Sequence, residues 1–229
     1  MVSEGAAEES SAFPSTEEKV PVAVFASGQG TNARALWRAQ DRCRFRVVTL
    51  VSDRPEAPVV AWARAVGLPI WARSPKAFPD KGAYEAAVLS HLRAHDVRWI
   101  ALAGYMRLVG PTLLEAYPNR IVNVHPSLLP AFPGKDAVRQ ALDYGVRVTG
   151  VTIHLVDAGI DTGPIVAQAA LRIRPGEAAE TLLERLHRLE HRLYPRTLDR
   201  LVAEPHRVVG RTVVWLTETR EGRPAWGGG

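Results

Sequence analysis

The sequence is poor in cysteine and has no long apolar run. Cys43 is the single cysteine among 229 residues, which excludes a disulfide framework and a thiolate metal cage. No apolar stretch approaches the roughly 18 residues that a membrane helix needs. A basic segment followed by an apolar stretch, typical of a secretory signal, is also missing from the first residues. We therefore expect a soluble, cytoplasmic protein.

The other compositional extremes are absent as well. Hydrophobic residues make up 46% of the chain and charged residues 23%, which excludes collagen-like, disordered and coiled-coil classes. The formal net charge is +5 although residues 1–20 hold five Glu and one Lys, so the body of the chain is basic. A basic body favours anionic ligands such as phosphates, carboxylates or nucleic acid. The arginines are scattered among acidic residues, however, and a coding bias of the genome explains them at least as well.

Composition divides the chain into three parts. Residues 1–19 are rich in Glu, Ser and Ala without apolar periodicity, and we expect them to be a disordered acidic tail. Residues 20–204 carry the strand and helix patterns of one domain. Residues 205–229 are expected to form a strand or hairpin over 208–216 and then to fray at the terminal glycines.

Short strand patterns alternate with helical patterns in the first half of this domain. The expected strands are Val20–Ser27, Phe45–Ser52, Leu68–Trp71, Val97–Ala103 and Arg120–Val124. The expected helices are Thr31–Gln40, Ala57–Val66 and Gly82–His95. Such alternation predicts right-handed βαβ units and an α/β fold with a parallel sheet.

The second half has longer elements. Val148–Val156 and Ile165–Ile173 are expected to be two longer strands joined by a Gly- and Asp-rich segment. A helix is expected over Glu180–Leu201, where leucines recur at helical spacing, with a kink at Pro195.

The segment Ser27–Ala33, SGQGTNA, lies between the first strand and the first helix. Its two glycines allow a tight turn whose N–H groups, with the helix dipole behind them, can hold a phosphate. Gly28-x-Gly30-x-x-Ala33 also fits a dinucleotide fingerprint, with Asp53 near the end of the second strand to hold a ribose. The alternative is a turn that is merely tight.

The segment Asn123–Pro130, NVHPSLLP, lies at the carboxyl end of an expected strand. Alternation places Asn123 and His125 on one face, and ligands of open α/β sheets bind at strand carboxyl ends. A buried polar pair costs stability unless it has partners. The alternative is a core Asn/His pair with its hydrogen bonds satisfied. We favour a functional role, because prolines and a loop follow directly.

His154 precedes a segment with two Asp and two Gly, DAGIDTGP, over Asp157–Pro164. This composition indicates a structured loop, while the spacing of an EF-hand is missing. A carboxylate from this loop could lie against His125 and favour its charged form, as acid–base chemistry requires. The alternative is an Asx turn with a solvated Asp.

The last helix contains His187-Arg188-Leu189-Glu190-His191, which matches the H-x-x-E-H zinc string. His187 and His191 share a helix face, but no third ligand is evident. Short strings of this kind arise readily in helices rich in Arg, Glu and His. We therefore expect no metal.

Taken together, six segments in this order resemble the folate-dependent formyltransferases, in particular the members that act on glycinamide ribonucleotide. They are Ser27–Ala33, Ala103–Val109, Asn123–Gly134, Gln140–Gly145, Thr149–His154 and Asp157–Ile165. The resemblance covers about residues 20–200. It implies that residues 20–204 are a formyltransferase domain with a Rossmann-like, mostly parallel twisted sheet, helices on both faces and antiparallel additions in the C-terminal half. The phosphoribosyl substrate would bind the N-terminal half, and the folate would lie at the junction with the C-terminal half.

The resemblance also implies roles for individual residues. Asn123, His125 and Asp161 would be the catalytic trio. The phosphate end of the substrate would contact Gly30, Thr31 and Asn32, and its glycinamide part would contact Glu190. The folate would contact Met106, Arg107, Leu108, Val109 and Asn123. Lys81 stands where the family commonly has an Arg that contacts the folate, and it lacks the planar fork of Arg.

The implied reaction is an acyl transfer without a metal, a thiol or a covalent intermediate. The amine of glycinamide ribonucleotide would attack the formyl carbon of 10-formyltetrahydrofolate, the co-substrate. Asn123 and a protonated His125 would stabilise the oxyanion, and Asp161 would hold His125 charged and relay a proton. The expected partners are small molecules, not nucleic acid or a membrane, and a homodimer is compatible with the sequence.

Several other functions remain open on the sequence. A methionyl-tRNA formyltransferase would need a further C-terminal domain, and a formyltetrahydrofolate hydrolase would usually carry an N-terminal regulatory domain that the acidic tail does not supply. An NAD-dependent oxidoreductase would use Gly28, Gly30 and Asp53. The catalytic trio argues against a simple binding module.

Overall fold

The computed structural model describes residues 18–216, so nearly all of the expected acidic tail and the expected frayed end lie outside the described residues. The described strands are β1 Val20–Phe25, β2 Phe45–Ser52, β3 Ile70–Ala72, β4 Trp99–Leu102, β5 Ile121–His125, β6 Val148–Leu155, β7 Ile165–Arg172, β8 His206–Val209 and β9 Thr212–Trp215. They form one sheet in the order β3-β2-β1-β4-β5-β6-β7-β9-β8.

The described helices are α1 Thr31–Ala39, α2 Pro58–Ala65, α3 Lys81–Ala94, α4 Pro111–Ala116, α5 Ala137–Tyr144 and α6 Ala179–Ala203, with short 3₁₀ turns at Gln40–Arg42 and Pro75–Ala77. Every expected strand and helix is present, with ends shifted by one or two residues. Two helices, α4 and α5, were not expected from the sequence. Both are short, and α5 begins after Asp136, whose φ of 57° is left-handed.

The first five strands are parallel, as the alternating pattern predicts. From β5 onward the direction changes, because β6 is antiparallel to both β5 and β7. The C-terminal hairpin of β8 and β9 joins the same sheet where Thr212 pairs with Ile165. Residues 205–216 therefore extend the sheet of the main domain.

Helices cover both faces of the sheet, which confirms the expected fold class. Along β1, Val22 and Val24 belong to the core under α1, α2 and α6, whereas Ala23 and Phe25 belong to the core under α3 and α4. Such two-sided burial is typical of parallel strands covered by crossover helices.

The long helix α6 is fixed to the middle of the sheet by Tyr194. This side chain is fully buried, and its hydroxyl lies 3.0 Å from the Leu102 carbonyl of β4 and 2.9 Å from the Val122 carbonyl of β5. The helix continues through Pro195 to Ala203 and buries Leu182, Leu186 and Leu198 against the sheet. No helix in residues 18–216 is both long and apolar enough to cross a membrane.

Candidate active site

The strand order reverses between β1 and β4, so the loops that follow these two strands open a crevice at their carboxyl ends. Ligands of open α/β sheets bind at such a switch point. The Ser27 N–H donates a 3.1 Å hydrogen bond to the Gly104 carbonyl, which holds the two loops side by side. The glycine loop and the segment 104–109 are thus brought together.

The glycine loop packs closely against the start of α2. Gly30 caps α1 with a φ of 71°, and a Cβ there would lie 2.2 Å from Val59 Cγ2. Only glycine fits this position, because both the dihedral angle and the contact exclude a side chain. The N–H groups of Thr31, Asn32 and Ala33 precede the first hydrogen bond of α1, from the Arg34 N–H to the Gly30 carbonyl, so they are available to an anion.

Asn32 and Glu190 connect the start of α1 to α6. Asn32 Nδ2 donates a 2.7 Å hydrogen bond to Glu190 Oε2, and both side chains are buried. Burial raises the pKa of Glu190, and this outweighs the hydrogen bond from Asn32 and the charges of His187 and His125, which lower it. Asn32 Oδ1 is buried without a partner among the described residues, so it presents a free acceptor at the glycine loop.

The expected folate-contacting residues after β4 have contrasting environments. Met106 is 59% exposed, Leu108 is 53% exposed and Arg107 is also exposed. Val109 is buried in the core with Tyr84 and Leu113, so only its backbone can face a ligand. The sequence motif does not distinguish Val109 from its neighbours, because the turn of the backbone decides which side chains point inward.

Lys81 begins α3 close to the end of this segment. Its Nζ lies 3.9 Å from Glu85 Oε1, and its side chain is 45% exposed. The buried Glu85 carboxylate accepts a 2.6 Å hydrogen bond from the Gly110 N–H. Lys81 therefore has its charge partly compensated at the mouth of the crevice.

Asn123 and His125 lie on the same face of β5, as strand alternation predicts. Val122 and Val124 point to the opposite face, into the core that contains α6. After β5 the chain folds back on itself, because Leu129 N–H donates to Thr152 Oγ1 and Gln168 Nε2 donates to the Leu129 carbonyl. This return brings Phe132 and Gly134 over the end of β5.

Asp161 reaches this site from the loop after β6. The φ of Asp161 is 53°, in the left-handed region. Gly163 lets the loop pack directly against the end of β6, because a Cβ at this position would lie 1.8 Å from the Leu155 carbonyl oxygen. Asp161 Oδ2 accepts a 2.7 Å hydrogen bond from the Gly134 N–H and lies 3.3 Å from His125 Nδ1. The structure therefore brings together Asn123, His125 and Asp161, the three residues expected to form the catalytic trio.

Asp161 is held in its ionised form. Burial raises the pKa of this carboxyl, but the hydrogen bonds from His154 and the Gly134 N–H and the charges of His125 and His154 outweigh burial and lower the pKa. His125 faces acceptors on both sides, because its Nε2 lies 2.8 Å from the Phe132 carbonyl oxygen and its Nδ1 faces the Asp161 carboxylate. A doubly protonated imidazolium therefore finds an acceptor for each N–H.

His154 is a member of the site that received no role in the sequence analysis. Its Nε2 lies 3.1 Å from Asn123 Nδ2 and 3.5 Å from Asp161 Oδ1, and its Nδ1 lies 2.8 Å from the Leu155 carbonyl oxygen. His154 Nε2 therefore faces both the Asn123 amide and the Asp161 carboxylate. The antiparallel register that pairs Asn123 with His154 produces this contact, and no local motif reveals a register.

The residues of the H-x-x-E-H string in α6 make contacts other than metal coordination. The rings of His187 and His191 stack with centroids 6.1 Å apart, and Glu190 bonds to Asn32. Across residues 18–216 no group of three or more His, Cys, Asp or Glu is arranged to hold a metal ion. Two shallow surface grooves, about 340 and 450 Å³, are lined by none of the expected site residues.

Comparisons with known proteins identify the family of this chain. The formyl transferase family matches residues 20–198. The phosphoribosylglycinamide formyltransferase of Bacillus subtilis is 49% identical over 182 residues, which are 79% of this chain and 93% of that protein. The crystal structure of glycinamide ribonucleotide transformylase 1 from Geobacillus kaustophilus is 53% identical, covers 81% of this chain and 100% of its own, and superposes with a TM-score of 0.79. The corresponding enzyme from Symbiobacterium toebii is 42% identical with a TM-score of 0.84, and the match covers 86% of this chain and 94% of that one.

The fold defines a doubly wound α/β protein in which the side chains of Asn123, His125 and Asp161 meet at the carboxyl end of β5. Within that class, the chain belongs to the formyl transferase family and is a formyl-transferring enzyme.

Proposed function

We propose that this enzyme transfers the formyl group of 10-formyltetrahydrofolate to the amine of glycinamide ribonucleotide. The products are formylglycinamide ribonucleotide and tetrahydrofolate, and the reaction belongs to de novo purine biosynthesis. The observation that carries the proposal is the Asn123, His125 and Asp161 cluster beside a glycine loop at the switch point of the sheet.

The glycine loop and α6 supply the contacts for the ribonucleotide. Gly30, Thr31 and Asn32 offer backbone N–H groups and a helix N-terminus to its phosphate. The Glu190 carboxylate and the unpartnered Asn32 Oδ1 are acceptors for N–H groups of its glycinamide part. The charge of His125 acts on Glu190, and this supports binding of the amine end of this substrate near the catalytic cluster.

The segment after β4 supplies the contacts for the folate. Met106 and Leu108 present exposed apolar side chains to its ring system, and Val109 contributes its backbone. Arg107 and Lys81 are cations at the same mouth, where the folate glutamate carboxylates would lie. Asn123 pairs with Leu102 at the end of β4, the strand that leads into this segment, and it is the remaining residue assigned to the folate.

Catalysis then rests on the cluster. As the substrate amine adds to the formyl carbon, the carbonyl oxygen becomes an oxyanion, which the positive charge of the His125 imidazolium and an Asn123 N–H stabilise. The Asn123 N–H used is the one on Asp161 Oδ1, whose 3.4 Å hydrogen bond is the longer of the two. Asp161 accepts the amine proton, directly or through water, and returns it to the departing folate nitrogen as the C–N bond breaks.

The expected binding partners of the enzyme are its two substrates. We expect the enzyme to work in the cytoplasm on small molecules, without nucleic acid or a membrane as partner. A homodimer is compatible with this function, because every residue assigned to the site belongs to one chain.

A spectrophotometric assay tests the proposal. Purified protein is mixed with 10-formyltetrahydrofolate, or its dideaza analogue, in the presence and absence of glycinamide ribonucleotide. The proposal predicts release of the deformylated folate only with the ribonucleotide. Release without it would identify a hydrolase instead. No release in either mixture, together with binding of NADH, would favour the dinucleotide-binding alternative.

A further inference from the structure

Ser27 and Asp53 form a buried pair at the carboxyl ends of β1 and β2. Ser27 Oγ donates a 2.5 Å hydrogen bond to Asp53 Oδ1, and the two residues are only 2% and 9% exposed. Ser27 Oγ in turn accepts a 2.9 Å hydrogen bond from the Met106 N–H. The dinucleotide alternative would assign Asp53 to a ribose, whereas here its carboxylate is bonded to a side chain of the protein.

The direction of these hydrogen bonds is fixed by chemistry. A backbone N–H can only donate and an ionised carboxylate can only accept, while the serine hydroxyl has one proton. Ser27 therefore must give its proton to Asp53 and direct a lone pair toward Met106. Without an acceptor at position 53, the hydroxyl proton would be free to rotate toward other acceptors, and the Met106 contact would lose its fixed partner.

We infer that Asp53 and Ser27 are positioning residues that hold the folate-contacting segment 106–109 at a fixed distance from the glycine loop. Ser27 bonds to the start of this segment at Met106, and its N–H also donates to the carbonyl of Gly104, two residues earlier. The far end of the segment is tied independently, since the Gly110 N–H donates to the buried Glu85 carboxylate. Between the two attachments, Met106, Arg107 and Leu108 are exposed to a ligand.

This role deepens the proposed function and rests on it, since it assumes that segment 106–109 contacts the folate. It separates the two substrates. The glycine loop continues directly from β1 and keeps its position without the Ser27 hydroxyl, whereas Met106 depends on that hydroxyl. Loss of the Asp53–Ser27 pair is therefore expected to weaken folate binding selectively.

The test uses three variants of the full chain: Ser27→Ala, Asp53→Ala and the double variant. Each single variant is expected to raise the KM for 10-formyltetrahydrofolate about tenfold, the effect of one lost buried hydrogen bond. The KM for glycinamide ribonucleotide is expected to stay within about twofold. The double variant is expected to show no more than the larger single effect, because both substitutions break one chain of hydrogen bonds.

Two further variants distinguish positioning from a general loss of structure. Asp53→Asn keeps a side-chain oxygen that can accept from Ser27, so it is expected to restore a nearly unchanged folate KM. Ser52→Ala is the matched control, because Ser52 is equally buried on β2 and its hydroxyl bonds only locally, with the Arg54 backbone. It is expected to leave both KM values unchanged even if it lowers Tm.

Other results would overturn the inference. If Asp53→Ala raised the ribonucleotide KM and Ser27→Ala did not, Asp53 would contact that substrate directly. Unchanged KM values with a lower Tm would reduce the pair to a structural contact. The dissociation constant of tetrahydrofolate, measured by calorimetry on the same variants, carries the same prediction without turnover. A failure of the proposed function in the unmodified chain is thus distinguishable from a failure of this inference.

Discussion

Asn32 and Glu190, which lie 158 positions apart in the chain, share a 2.7 Å hydrogen bond in the interior between α1 and α6. The carboxylate is buried and its pKa is raised, so the protein maintains it at a cost in stability. Because a buried carboxylate does not stabilise the fold, we infer that it is there to bind a ligand. In this account the ligand is the glycinamide end of the ribonucleotide.

Replacing Glu190 by Gln is therefore expected to weaken substrate binding and to increase the stability of the fold. The amide keeps an acceptor for Asn32 but removes the buried charge. We expect the KM for glycinamide ribonucleotide to rise about tenfold or more, and Tm at about pH 8 to rise by about 3 °C. Steady-state kinetics and thermal unfolding measure the two effects. Glu184→Gln on the exposed face of the same helix is the control and should change neither.

The gain in stability should depend on pH. Because the pKa of Glu190 is raised on folding, its contribution to stability is greatest below the ordinary pKa of Glu and is lost as the pH rises through the raised value. The Tm difference between Glu190→Gln and the unmodified chain should therefore shrink from about pH 8 to about pH 4. A difference that grew toward acid would contradict the raised pKa.

Asp161→Asn tests the acid–base role. The amide keeps the shape of the side chain but can neither hold His125 charged nor accept a proton. We expect kcat to fall by roughly 10²–10⁴-fold while the dissociation constant for glycinamide ribonucleotide stays nearly unchanged. Asp157→Asn is the matched control in the same loop, since the exposed Asp157 bonds only within the loop, to the Gly159 N–H and the Thr162 hydroxyl. Equal loss of turnover and binding in Asp161→Asn would count against its catalytic role.

The fold was largely predictable because its pattern is local. Buried parallel strands such as β1 and β2 stand out as apolar runs between turn residues, and α6 is long enough for a clear leucine stripe. The helices α4 and α5 are only six and eight residues long, and two helical turns are too few to establish a period by themselves. The equally short α2 was expected because it falls in the regular alternation of strands and helices in the first half.

Only those parts of the site that lie close together in the sequence could be predicted. Asn123 and His125 share one strand, so alternation places them together. The contact of His154 with Asn123 depends on strand register, and that of Asp53 with Ser27 depends on how two strand ends meet. Such contacts arise from tertiary packing, which no periodicity encodes.

Lys81 offers a test of the folate contacts. Its Nζ lies 3.9 Å from Glu85 Oε1, and its side chain is about half exposed. Lys81→Ala is expected to raise the KM for 10-formyltetrahydrofolate about three- to fivefold, the scale of a half-exposed ion pair. Lys81→Arg should keep or lower that KM, because the guanidinium fork matches a carboxylate. Lys76→Ala, at an exposed lysine nearby in sequence, should have no effect, and an equal effect there would remove any specific role of Lys81.

The contact between His91 of α3 and Thr49 of β2 is expected to make the stability of the fold sensitive to acid. Burial, and then the charge of the neighbouring His95, whose ring centroid lies 4.3 Å away, lowers the pKa of His91 from 6.5 to about 4. Because its pKa is depressed on folding, the neutral ring contributes stability that is complete above pH 6.5 and is lost as the pH falls to about 4. His91→Gln, which can still bond to Thr49 Oγ1, should lose less stability over that interval. Denaturant unfolding at several pH values measures the slope, and equal slopes would contradict the assignment.

The transfer of a labelled formyl group tests the central claim most directly. 10-Formyltetrahydrofolate with an isotopically labelled formyl carbon is incubated with glycinamide ribonucleotide and the enzyme, and the nucleotide product is analysed by mass spectrometry and NMR. The account predicts that the label appears as an amide formyl group on the glycinamide nitrogen, and that Asp161→Asn all but abolishes its appearance. Label recovered as free formate, with the ribonucleotide unchanged, would contradict it.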